Sequence, residues 1–141
     1  MSKKIAFLFF IFLQIFFLNA KDKKNTENLP LLQTKWLLKE ISETVLPHSS
    51  DTAFIIFTED FKFSGNLGCN LFFGDFSFGK RRIRIDYLGA TKKYCVSMQL
   101  EDEFVKILRN DITHYNIERN DLYLLSRGKV ICKFEGITVS P

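Results

Sequence analysis

Histidine is nearly missing from this chain, whose 141 residues hold only His48 and His114. Neither has a second ligand at metal spacing, so no metal site is expected. Cysteine is almost as sparse. Cys69, Cys95 and Cys132 are the only three, and no two form a CxxC pair. Three thiols allow one bridge and one leftover. A strong excess of one charge is also lacking. Lysine and arginine number 20 against 16 acids, a formal +4, which leaves no footprint for nucleic acid. Convergent catalytic groups are absent too. His48-Ser49-Ser50-Asp51 has the composition of a loop, and a triad is defined by geometry. Glu101, Asp102 and Glu103 are consecutive, so on a helix they point in different directions and do not converge on a substrate. With no cofactor motif either, the expectation is a protein that is not an enzyme and carries no cofactor.

Phenylalanine is abundant, sixteen in all, and six of these fall within the first 17 residues. There Lys3 and Lys4 precede the apolar run Ile5–Leu18, which is followed by Asn19-Ala20 and the polar stretch KDKKNTEN. This is the layout of a secretory signal peptide, and the run is short for a membrane span of about 20 residues. Residues 1–20 are therefore read as a signal cleaved after Ala20. Leu18 is bulky for the minus-three position, which leaves an uncleaved anchor as the alternative. No cysteine lies near the cleavage point, so no lipid-modified N-terminus is expected. Without residues 1–20 the basic count falls to 18 against 16 acids. Localisation is expected to be periplasmic or secreted, where disulfides persist.

Residues 21–33 read as a polar linker, mobile at its start. Strand candidates follow at 34–41, 53–58, 61–65, 69–78 and 82–87, with Pro47 and serines marking a loop between the first two. RIRIDY (82–87) alternates, so Ile83, Ile85 and Tyr87 are expected on one face and Arg82, Arg84 and Asp86 on the other. Phe72, Gly74, Phe76 and Phe78 share a face in the strand before it. The rhythm breaks at 98–110, where Leu100, Phe104, Ile107 and Leu108 form one apolar stripe of a helix. Ser97 is its expected N-cap. Acids at 101–103 and bases Lys106 and Arg109 suit its dipole. Strands at 113–118, 121–126 and 129–136 end a domain placed at 34–136, with a tail at 137–141. The predicted fold is mainly β (α+β): a small, antiparallel, strongly bent sheet or barrel of about seven to eight strands with one packed helix.

The ordered set SGNLGCNLFFG (64–74), GATKKYC (89–95), an acidic helix and DLYLL (121–125) resembles the META domain of the heat-shock-induced HslJ-like bacterial proteins. The matching residues are Ser64, Gly65, Cys69, Asn70, Gly74, Thr91 and Cys95, and Trp36-x-Leu38 matches the opening of many members. The resemblance covers about residues 34–135. It departs from the family at Leu71, where many members are basic, and at Lys92-Lys93-Tyr94. It implies an envelope protein linked to stress response, with no common enzymatic reaction.

Beside that resemblance, each candidate group has two readings. A Cys69–Cys95 bridge would staple the central strands to the start of the helix, and the rival is a redox-active thiol activated by Lys92 and Lys93. Cys132, between Val130 and Phe134, reads as a buried free thiol. Gly65 and Gly68 read as a corner or bulge, with Asn70 serving backbone groups freed there. Lys80, Arg81, Arg82 and Arg84, with Lys92 and Lys93, read either as a solvated face or as a surface for an anionic partner. The phenylalanine stripe reads as core, or as the lining of a lipocalin-like cavity for an apolar ligand. The expected protein is an exported, monomeric, non-enzymatic META-domain protein acting in envelope maintenance or stress tolerance through a binding surface. Its partner would be an envelope protein or an anionic surface.

Overall fold

The computed structural model describes residues 27–46, 53–95 and 98–138. The expected signal peptide, the first part of the expected linker, the 48–51 loop and the expected Ser97 cap lie outside them. Among these residues nine strands and one helix follow in order: β1 (Thr34–Ile41), β2 (Thr44–Val45), β3 (Phe54–Phe57), β4 (Lys62–Asn66), β5 (Leu71–Phe78), β6 (Ile83–Ala90), α1 (Gln99–Asn110), β7 (His114–Glu118), β8 (Asp121–Ser126) and β9 (Lys129–Thr138). The strands form one antiparallel sheet in the order β6-β5-β4-β3-β1-β9-β8-β7, and β2 pairs only with β1.

The predicted strongly bent sheet is what forms. Bulges fall at Leu38/Glu40, Asp75/Phe76 and Leu124/Leu125, and each bends its strand and sharpens the twist. The sheet curls until its two ends touch at one corner. There Arg82 bridges His114, the Tyr115 N–H donates to Arg81 O at 2.9 Å, and the Ile83 N–H donates to Thr113 O at 3.2 Å. Helix α1 connects β6 to β7, and Phe104, Ile107 and Leu108 are its buried apolar residues. The Phe104 ring meets Phe72 of β5 at 5.5 Å and Phe134 of β9 at 6.0 Å, both edge-on. One side chain thus joins two distant parts of the curl, in a geometry that aromatic quadrupoles favour. Met98 holds the N-cap position of α1 with no side-chain cap bond.

The β5–β6 bulge changes one sequence expectation. Asp75 pairs with Tyr87, but Phe76 pairs with Ile85. The extra residue, Asp86, breaks the alternation. Ile83 is buried, whereas Tyr87 is 57% exposed on the outer face.

The chain before β1 is also part of the fold. Leu31 is buried, and its carbonyl accepts the Trp36 indole N–H at 3.0 Å. Leu32 bridges Phe57, the Gln33 N–H donates to Phe57 O, and the Leu29 N–H donates to Arg119 O. Residues 28–33, expected to be linker, form a strap that runs from the β7–β8 turn, at Arg119, to the end of β3, at Phe57. Strand β9 likewise continues through Ile137 and Thr138, the first two residues of the expected tail.

Candidate functional site

The FSGNLGCN stretch spans the end of β4 and the loop into β5. Gly65 lies within β4, paired with Ile55 and Phe72. A Cβ there would come within 2.2 Å of both Phe54 O and the Phe72 ring, so Gly65 is a bare strand position covered by an aromatic ring rather than a corner. Gly74 is similar, since its Cβ would meet Tyr87 O at 1.9 Å. The corner is Gly68, at φ 110°, a backbone region that only glycine adopts freely. Ser64 faces outward in β4, and Trp36 is wholly buried.

Cys69 and Cys95 are joined by a disulfide, with Cα atoms 6.2 Å apart. Asn70, buried beside it, is the centre of a polar knot. Its Oδ1 accepts from the Thr91 hydroxyl at 2.8 Å and from the Lys93 N–H at 2.7 Å, and its Nδ2 donates to Lys93 O at 3.1 Å. Its own N–H donates to Glu101 Oε2 at 3.0 Å. Thr91 Oγ1 also accepts the Leu71 N–H at 3.1 Å. The motif residues Cys69, Asn70, Thr91 and Cys95 therefore converge, with both thiols consumed in a bond. Glu101 joins them although the three acids looked alike in sequence. It sits three residues before Phe104 and seven before Leu108, so helical spacing already placed it on the buried face.

The third cysteine is no candidate nucleophile. Cys132 is buried in β9 among core residues. Burial pushes its thiol pKa far up, and the charge of Glu103 adds to this, so the reactive thiolate is disfavoured. His114 is exposed at the closing corner, with Nδ1 2.9 Å from Thr113 Oγ1. No cluster of metal-type ligands forms among the described residues.

The six basic residues do not form one surface. Lys80, Arg81 and Arg82 occupy the β5–β6 turn, while Lys92 and Lys93 follow the far end of β6. At about 3.3 Å per residue, that eight-residue strand separates the groups by about 26 Å. Arg84 is paired with Asp86 at 2.6 Å, whereas Lys80, Arg81 and Arg82 are exposed and make no ion pair among the described residues. An open hollow of about 480 Å³ adjoins this turn, with Phe78, Ile83 and Ile112 contributing its apolar wall and Arg82 and Arg84 its charge. Phe78, expected in the core, sits at this rim, 36% exposed. It stacks on Phe76 at 5.6 Å and touches Phe61 at 6.1 Å.

A curled antiparallel half-barrel with one inserted helix and a disulfide-pinned corner defines a small β-domain whose polar groups are spent on structure at one end and displayed at the other. The chain belongs to the META domain family, which it matches over residues 29–136. That span includes residues 29–33 of the strap. Two solved structures are similar. One, described as the NMR structure of a protein from Burkholderia xenovorans, has a TM-score of 0.63 at 17% identity, covering 86% of this chain and 99% of that one. Another NMR structure has a TM-score of 0.60 at 18% identity, covering 76% of this chain and 94% of the other. At such identities the likeness concerns the fold. No curated protein matches the chain.

Proposed function

We propose that this chain is an exported, non-enzymatic META-domain protein that acts as a monomer in envelope maintenance or stress tolerance, through its outer surface. The observation that carries this reading is the filled interior. Trp36, Phe57, Phe63, Phe72, Phe76, Phe104 and Phe134 are fully buried against one another and against the strands. A lipocalin-like carrier needs internal room for its ligand, and these rings take up that space. A thiol redox role needs a reachable thiolate, yet Cys69 and Cys95 are bonded to each other and Cys132 is buried. The disulfide is compatible with an oxidising compartment. No helix among the described residues is long and apolar enough to cross a membrane.

The test is a crosslinking pull-down from the envelope fraction, with N-terminal sequencing of the recovered protein. The expected result is an envelope component captured by a chain that begins at Lys21. Capture of cytoplasmic proteins alone, by a chain that still begins at Met1, would defeat the reading.

A further inference from the structure

We propose that the end of the curl carrying Phe61, Phe78 and the Lys80–Arg82 turn is a docking surface for an anionic phospholipid membrane. This rests on the exported surface-binding reading above and names the partner of that surface. Three observations converge on it.

The first is Phe61 itself. It lies in the β3–β4 turn at φ 59° with 56% of its surface exposed. A bulky side chain in the left-handed region is disfavoured, and an exposed ring recovers little by burial. Neighbouring rings hold it out: Phe61 touches Phe76 at 6.4 Å and Phe78 at 6.1 Å, and Phe76 is anchored on Phe57 at 4.8 Å. The core thus extends outward into two rings presented to solvent, the arrangement that places aromatic side chains at a membrane interface.

The second is charge. Lys80, Arg81 and Arg82 form a basic tip beside Phe78, and their side chains are not engaged in ion pairs among the described residues. The acids nearby are largely occupied. Asp86 pairs with Arg84, Asp75 pairs with Lys62, and Asp60 accepts the Thr58 hydroxyl. That hydrogen bond also lowers the Asp60 pKa. Glu59, in the same turn, makes no ion pair among the described residues. Basic side chains near an anionic leaflet strengthen binding by roughly five-fold each.

The third is the path of the chain. The strap runs from the β7–β8 turn, where the Arg119 N–H donates to Asn28 Oδ1, to Leu32 beside Phe57, four residues before Phe61. Nine residues separate Leu18, the end of the apolar run, from Asn28, and the ten Cα steps between them, at about 3.5 Å each, reach no more than about 35 Å. An uncleaved N-terminus would hold the Phe61 turn, rather than the disulfide corner, toward the bilayer. After cleavage the rings and the basic tip are left to do so alone.

The experiment is sedimentation of the chain from Lys21, the processed form the signal reading predicts, with vesicles of phosphatidylglycerol and phosphatidylethanolamine or of phosphatidylcholine only. Binding to the anionic vesicles alone, weakened by salt, is expected. The triple variant K80E/R81E/R82E should bind at least about 100-fold more weakly. Phe61→Asn, which suits a left-handed backbone, should bind about ten-fold more weakly and melt no lower than wild type. Trp36 fluorescence and a cooperative melt show that each variant is folded. Equal binding to both vesicle types, or unchanged binding by the folded triple variant, overturns the inference. So does displacement by inorganic phosphate beyond that by chloride of equal ionic strength, which would mark a site for the soluble anion. Wild-type protein that ignores vesicles but captures an envelope protein refutes membrane docking and leaves the broader function standing.

Discussion

At the scale of single residues, Asn70 shows how a motif can be chemical in appearance and structural in effect. Its carboxamide satisfies the Lys93 N–H and C=O together and orients the Thr91 hydroxyl, while Glu101 takes its backbone N–H. Removing such a group leaves buried partners unmatched, at a cost of about 1–3 kcal/mol for each. Asn70→Ala should therefore lower stability by about 3 kcal/mol in urea unfolding. Glu101→Gln keeps an oxygen acceptor and should cost less than about 1 kcal/mol, whereas Glu101→Ala should cost about 2 kcal/mol. If Gln and Ala behave alike at position 101, the hydrogen bond is not what the side chain contributes. Asn70 was legible in sequence because asparagine characteristically serves free backbone groups at a bend. Glu101 was overlooked among three acids because charge suggests exposure, although its spacing to Phe104 indicated the opposite.

At the scale of elements, strands betray themselves where one face is wet and the other dry. The helix stripe at Phe104, Ile107 and Leu108 and the alternation through β4, β5, β8 and β9 were readable for that reason. The β5–β6 bulge was not, because RIRIDY alternates without fault as far as Tyr87. Its displacement is dictated by pairing with β5, a partner outside the segment. The disulfide belongs to this scale as well, because it ties the loop before β5 to the segment that leads into α1. Closing a 26-residue separation removes chain entropy from the unfolded state worth about 3.5 kcal/mol at most. A Cys69→Ala/Cys95→Ala variant should unfold at lower urea by up to that amount, and reductant should bring wild type to the same midpoint. A reductant effect that persists in the double variant would show that the bridge is not its source.

At the scale of the whole molecule, the sheet and its closing corner were foreseeable in kind, since a strand-rich chain with one helix must bury a face and shield its edges. The true start of the domain was not. Leu29-Pro30-Leu31-Leu32 has no period to read, and its place is set by contacts with Trp36, Phe57 and Arg119, which come together only after the sheet curls. The strap buries Leu31 and satisfies the Trp36 indole N–H. Loss of the first is worth about 2 kcal/mol in apolar burial, and exposing the second to water or leaving it unpaired adds about 1 kcal/mol or more. A chain that starts at Thr34 should then unfold about 3 kcal/mol more easily than one that starts at Lys21. Leu31→Ala in the longer chain should recover most of the burial part of that difference while leaving the indole bond intact, which Trp36 fluorescence can report. Equal stability of the two truncations would return residues 28–33 to the role of a linker. A large difference would make the strap a structural part of the domain, and would fix the chain's approach to the end of β3, beside the turn that displays Phe61.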